Sequence, residues 1–159
     1  MREKAVHEIE SSSRALQVFV CITLLLTVIN AVISFKYMME DINIGNFSAE
    51  SIERVFFCLF YIVIQLFAIM TFRSIAKNKT PFLAEVARNI KIIGGLIMFS
   101  NALPRWISGI ISLILNDGGV FTIVDGTVMF GLVLGLIFFC LGSIFDYGCA
   151  LQQQDDEML

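Results

Sequence analysis

The stretch ALQVFVCITLLLTVINAVISF, residues 15–35, decides the fold. It carries no charge, and only Gln17, Asn30 and small hydroxyls interrupt its apolar side chains. At a rise of ~1.5 Å per residue it reaches about 31 Å, enough to cross the hydrocarbon core of a bilayer. A signal peptide has a shorter apolar part, typically ~7–15 residues, and an A-x-A-like site after it. Neither feature fits, so the stretch reads as a retained span.

Outward from it, the same pattern recurs three times. The runs are residues 55–72, 92–115 and 120–145. The second holds Gln65 as its only strongly polar member, and the third carries Asn101, Pro104 and Arg105 near its middle. The fourth holds Asp125 near its start. Backbone N–H and C=O groups cannot stay unpaired in lipid, and these runs are far longer than barrel strands. The chain is therefore expected to be all-α, a single membrane domain of residues 1–159 built as a four-transmembrane-helix bundle.

Composition agrees. Apolar residues make up 57% of the 159, more than a water-soluble surface tolerates without large exposed patches. A formal net charge of -3 implies no nucleic-acid surface. The four cysteines show no C-x-x-C spacing and read as reduced apolar filler. His7 is the only histidine, so a protein-built metal centre is not expected.

Orientation follows from Lys and Arg placement. Arg2, Lys4 and Arg14 precede the first span, and Arg73, Lys77, Lys79, Arg88 and Lys91 fall between the second and third. Only Lys36 and Arg54 lie on the other side. Eight against two puts both termini in the cytoplasm of a cell-membrane protein, with a cytoplasmic loop at 73–91 and a cytoplasmic tail at 146–159. On the outer side, Ser48 followed by Glu50 and Glu53 reads as a helix start. Within the loop, Thr80 reads as a cap and Pro81 as the first residue of a helix that runs into span three. Phe82, Val86, Asn89, Ile90 and Ile93 would share one face of it. Asn116-Asp117-Gly118-Gly119 reads as a tight outer turn, making spans three and four antiparallel neighbours.

The residues with chemical potential are few. Arg105 costs ~2.5–3.5 kcal/mol at mid-membrane and needs an acceptor. Asp125 is the acid in the outer half of the neighbouring span, within snorkelling reach. Two readings compete: a structural tie between helices, or part of an ion or substrate pathway. Asn30, Gln65 and Asn101 are single amides that serve either as packing glue or as the polar lining of one cavity. Gly131 and Gly135 form a G-x-x-x-G that suits close helix contact, within the chain or between protomers. No serine nucleophile beside a histidine, no paired acids on one helix face and no phosphate-cradling glycine loop is present, so no enzyme and no catalytic or cofactor-binding residue is expected.

Two segments carry a resemblance. Ala76-Lys77-Asn78-Lys79-Thr80-Pro81-Phe82, with its amphipathic lead into span three, is one. The ending from Ser143 through Ile144-Phe145-Asp146-Tyr147-Gly148, Leu151-Gln152 and Asp155-Asp156-Glu157 to Leu159 is the other. Together they resemble the domain of unknown function 2975 family, with four spans in the same order. The resemblance implies a bacterial four-helix membrane protein, often encoded beside a small helix-turn-helix regulator, and no reaction or ligand. Members usually have a more apolar third span, so Arg105 departs from the pattern.

The expected function is accordingly non-enzymatic partner binding at the cytoplasmic face, with such a regulator as one partner. Its candidate residues are Lys77, Lys79, Thr80, Pro81, Phe82, Asp146, Tyr147, Gly148, Asp155, Asp156 and Glu157. The rival is a small permease or peptide-immunity protein with a polar intramembrane site at Arg105, Asp125, Asn101, Gln65 and Asn30. Lipid is the obligatory partner in both, self-association is open, and direct nucleic-acid contact is not expected.

Overall fold

The computed structural model describes residues 2–44, 48–114 and 123–157, with side chains from residue 8 onward except those of residues 155 and 156. Four helices account for nearly all of it: α1 (Arg2–Ile44), α2 (Ala49–Asn78), α3 (Ala84–Ile114) and α4 (Gly126–Glu157). No strand occurs among the described residues. Each helix is long and apolar enough to cross a membrane. Each also overruns the apolar run that marks it in the sequence at one or both ends. The 43 residues of α1 extend ~64 Å, about twice the thickness of a hydrocarbon core.

Local sequence sets the helix ends. Ser48 caps α2 as expected: its extended backbone (φ −106°, ψ 136°) lets its hydroxyl accept the Ser51 N–H at 3.3 Å. At the far end Lys79 takes the left-handed conformation (φ 56°) and its N–H donates to the Ile75 carbonyl at 2.8 Å. The start of α3 needs correction. Thr80 and Pro81 do not open the helix; it begins at Ala84. The Thr80 hydroxyl instead accepts the Phe82 N–H at 3.3 Å, and the Leu83 N–H donates to the Pro81 carbonyl at 3.0 Å. Residues 80–83 are used to turn the chain after the left-handed Lys79, so the first α3 bond runs from Ala87 N–H to the Leu83 carbonyl. Of the expected inner face, Val86, Asn89 and Ile93 are buried and Ile90 is half-buried, whereas Phe82 precedes the helix and is exposed.

Packing corrects the expected bundle. Helices touch in chain order only, α1 on α2, α2 on α3 and α3 on α4. Among the described residues α1 reaches neither α3 nor α4, so the four form an open row. Lipid tails are as apolar as leucine, so nothing drives such a row to close. None of the apolar window of α1 is buried.

The tightest seam is α3 on α4, and the glycines of the G-x-x-x-G make it. A Cβ placed on Gly135 would lie 2.6 Å from the Gly94 carbonyl oxygen, and one on Gly94 would lie 2.7 Å from that of Gly135. Gly131 seats Asn101, and Gly142 seats Lys91 and Ala87. The motif is thus occupied within the chain. The outer turn at residues 116–119 lies outside the described residues.

Candidate functional site

At the end where α2 and α4 begin, three charged side chains meet. Glu53 comes from the start of α2, Arg105 from α3, and Asp125 directly precedes α4. The Arg105 Nε donates to Glu53 Oε1 at 3.3 Å, while its Nη1 pairs with Asp125 Oδ2. The forked guanidinium suits this double role, because its donors are fixed in one plane. The other Asp125 oxygen, Oδ1, accepts the Val128 N–H at 2.9 Å and so caps α4. The Trp106 indole N–H donates to the Ile123 carbonyl at 2.8 Å, securing the segment that presents Asp125. One arginine therefore ties three helices.

Its depth differs from the sequence expectation. Arg105 stands level with the first turns of α2 and the cap of α4, because it lies in the last third of α3. It is a charge near a helix-end level and not one at the centre of the row.

The remaining amides do not join it. Gln65 Nε2 donates to the Thr27 hydroxyl at 3.1 Å across the α1–α2 seam, and its Oε1 is buried without a partner. Asn101 bonds back to the Ile97 carbonyl at 2.8 Å and lies on Gly131. Asn30 is exposed beside the α1–α2 seam. The five residues of the expected polar site are therefore spread over several seams, and only Arg105 and Asp125 meet.

At the opposite end, Phe82 of the loop and Gly148 of the tail are the candidate residues that meet. The Phe82 ring lies over Gly148 and packs at 5.9 Å from the Phe145 ring. Lys91 pairs with Asp146. Lys79 turns the other way, to Glu10 of α1 at 3.6 Å, so it does not meet the tail. Ser74 donates to Glu85 at 3.2 Å, joining α2 to the first turn of α3. Tyr147 and Lys77 are exposed, as is Glu157. The side chains of Asp155 and Asp156 lie outside the described residues.

Glu53, Lys91, Glu10 and Trp106 were not among the expected site residues. Glu53 was recoverable: it immediately precedes the arginine that closes the charged start of α2, at the same helix-end level as Asp125. No group of three or more His, Cys, Asp or Glu side chains could hold a metal among the described residues. No family model, no curated protein and no solved structure matches the chain.

Proposed function

We propose that this chain is a non-enzymatic multi-pass membrane protein, with both termini cytoplasmic, that binds a partner protein at its cytoplasmic end. The observation that carries the reading is the ordered junction at that end. All four helices extend past their apolar runs there: α1 through residues 2–14, α2 through 73–78, α3 through 84–91 and α4 through 146–157. Phe82 on Gly148 and Phe145, Lys91 on Asp146 and Lys79 on Glu10 link them into one platform. Surface ion pairs contribute only ~0–1 kcal/mol each, so their use is to orient the platform. Exposed Tyr147, Lys77 and Glu157 supply contact chemistry on it. The resemblance to the domain of unknown function 2975 family supports a small helix-turn-helix regulator as the partner. The transport alternative draws less support, since the Nε and Nη1 donors of Arg105 are already engaged by carboxylates.

Affinity capture from membranes tests this. Gly148→Leu should displace the Phe82 ring, which a Cβ there would approach to 2.6 Å, and cut partner recovery about tenfold. Gly95→Ala meets nothing within 4 Å and should leave recovery unchanged. Equal recovery from wild type and Gly148→Leu would rule the platform out as the binding surface.

Orientation has its own test. Single cysteines at Lys79 and Gln153, introduced into a cysteine-free background, are expected to resist a membrane-impermeant maleimide in intact cells and to react after permeabilisation. A cysteine at Lys36 should react from outside. External labelling at position 79 would invert the assignment.

A further inference from the structure

A second feature lies at the other end of α2 and is independent of the cytoplasmic platform. Beside the α1–α2 seam is a cleft of about 410 Å³. Asn30, Ser34 and Tyr37 line it from α1, and Arg54, Phe57 and Tyr61 line it from α2. The Phe57 and Tyr61 rings stack, with centroids 6.4 Å apart, and form one apolar wall.

Arg54 is the last charge of α2 before its apolar run begins at Val55. That is the level at which a spanning helix passes the lipid headgroups. Three nearby carboxylates are engaged elsewhere, Glu53 on Arg105, Asp41 on the Ser51 hydroxyl and Glu40 on Lys36, and Glu50, one turn before Arg54, makes no ion pair with it. None of the described ion pairs uses Arg54. A guanidinium at an apolar boundary is best satisfied by a phosphate, which accepts two of its N–H groups at once. Asn30, Ser34 and the Tyr37 hydroxyl add neutral donors along the same cleft, suited to glycerol and ester oxygens. Exposed Ile33 lines the cleft from α1 and exposed Ile29 stands one turn before it, and both would lie along acyl chains. A soluble anion would gain nothing from those flanks.

We propose that this cleft holds an anionic phospholipid, with its phosphate on Arg54 and its chains along α1. The full chain, reconstituted in nanodiscs of equal phosphatidylglycerol and phosphatidylcholine and then released into mild detergent, gives the test by native mass spectrometry. Retained lipid is expected to favour phosphatidylglycerol by about tenfold, the scale of one charge-assisted contact. Arg54→Gln should abolish that preference, and Arg54→Lys should restore most of it. Arg73→Gln, at the opposite end of α2, should leave it intact. Tyr37→Phe should lower it about twofold, and this variant decides the matter if Arg54→Gln does not fold. Inorganic phosphate added alone should not displace the lipid. A wild-type preference in Arg54→Gln, or displacement by inorganic phosphate, overturns the proposal; the second result would mark a soluble-anion site instead.

Discussion

Arg105→Ala is expected to lower the stability of the detergent-solubilised protein by about 2–3 kcal/mol. Removing one member of a fully buried ion pair costs ~3–5 kcal/mol, because the remaining charge is stranded. Here the Arg105 side chain is 33% exposed and its partners 17% and 31%, so part of that penalty is relieved. Two carboxylates, Glu53 and Asp125, would be left facing each other across the vacated site, and their repulsion adds to the loss. Asp125 needs more careful substitution than its partners. Asp125→Ala removes both the pairing and the cap on the Val128 N–H, and a cap alone is worth ~1 kcal/mol. Asp125→Asn keeps the cap and removes only the charge. The informative cycle is therefore Arg105→Ala with Asp125→Asn, followed by Arg105→Ala with Glu53→Gln, scored by thermal melting. Coupling of ~0.5–3 kcal/mol is expected in both cycles. Additivity in both would mean that Arg105 does not depend on these carboxylates, and would move the functional reading toward a polar transport path.

The sequence made the four helices legible because hydropathy over a ~20-residue window measures the property that matters in lipid. It also placed Ser48 as a cap and Asp125 against Arg105, since both depend on residues close in sequence or joined by a short turn. What it missed depends on how the helices stand beside one another. Glu53 and Arg105 are 52 positions apart, and their meeting follows from the register of α2 on α3. Lys91 and Asp146 are 55 apart, and their pairing follows from the seat that Gly142 provides for Lys91. The bundle expectation failed for a related reason. Apolarity fixes which faces meet lipid or protein only loosely, because both are apolar. Thr80-Pro81 failed locally: its pattern suits a helix start, but the left-handed Lys79 makes the same residues the reversal before it.

Gly135→Ala, one added methyl group, is expected to destabilise the α3–α4 seam by about 1–3 kcal/mol. The new Cβ would sit 2.6 Å from the Gly94 carbonyl oxygen, and it would also strike Met98. A methionine side chain can turn away, being unbranched and flexible. A backbone carbonyl held in a helix cannot. The two helices must therefore part, and they lose contact along the whole line from Gly142 on Ala87 to Gly131 on Asn101. Overpacking of a well-fitted site costs ~1–3 kcal/mol, and Gly135→Leu should exceed that range. Gly94→Ala meets the same obstruction from the other side, with its Cβ 2.7 Å from the Gly135 carbonyl oxygen. Once either helix has been pushed back, the second methyl group finds room, so the double variant should cost less than the two single changes added together. Gly95→Ala is the control, since its Cβ meets nothing within 4 Å. Alanine is the better helix former by ~1 kcal/mol, so that variant should melt at or above the wild-type temperature. If Gly135→Ala also melts there, α3 and α4 do not approach closely at this glycine, and the seam must be redrawn.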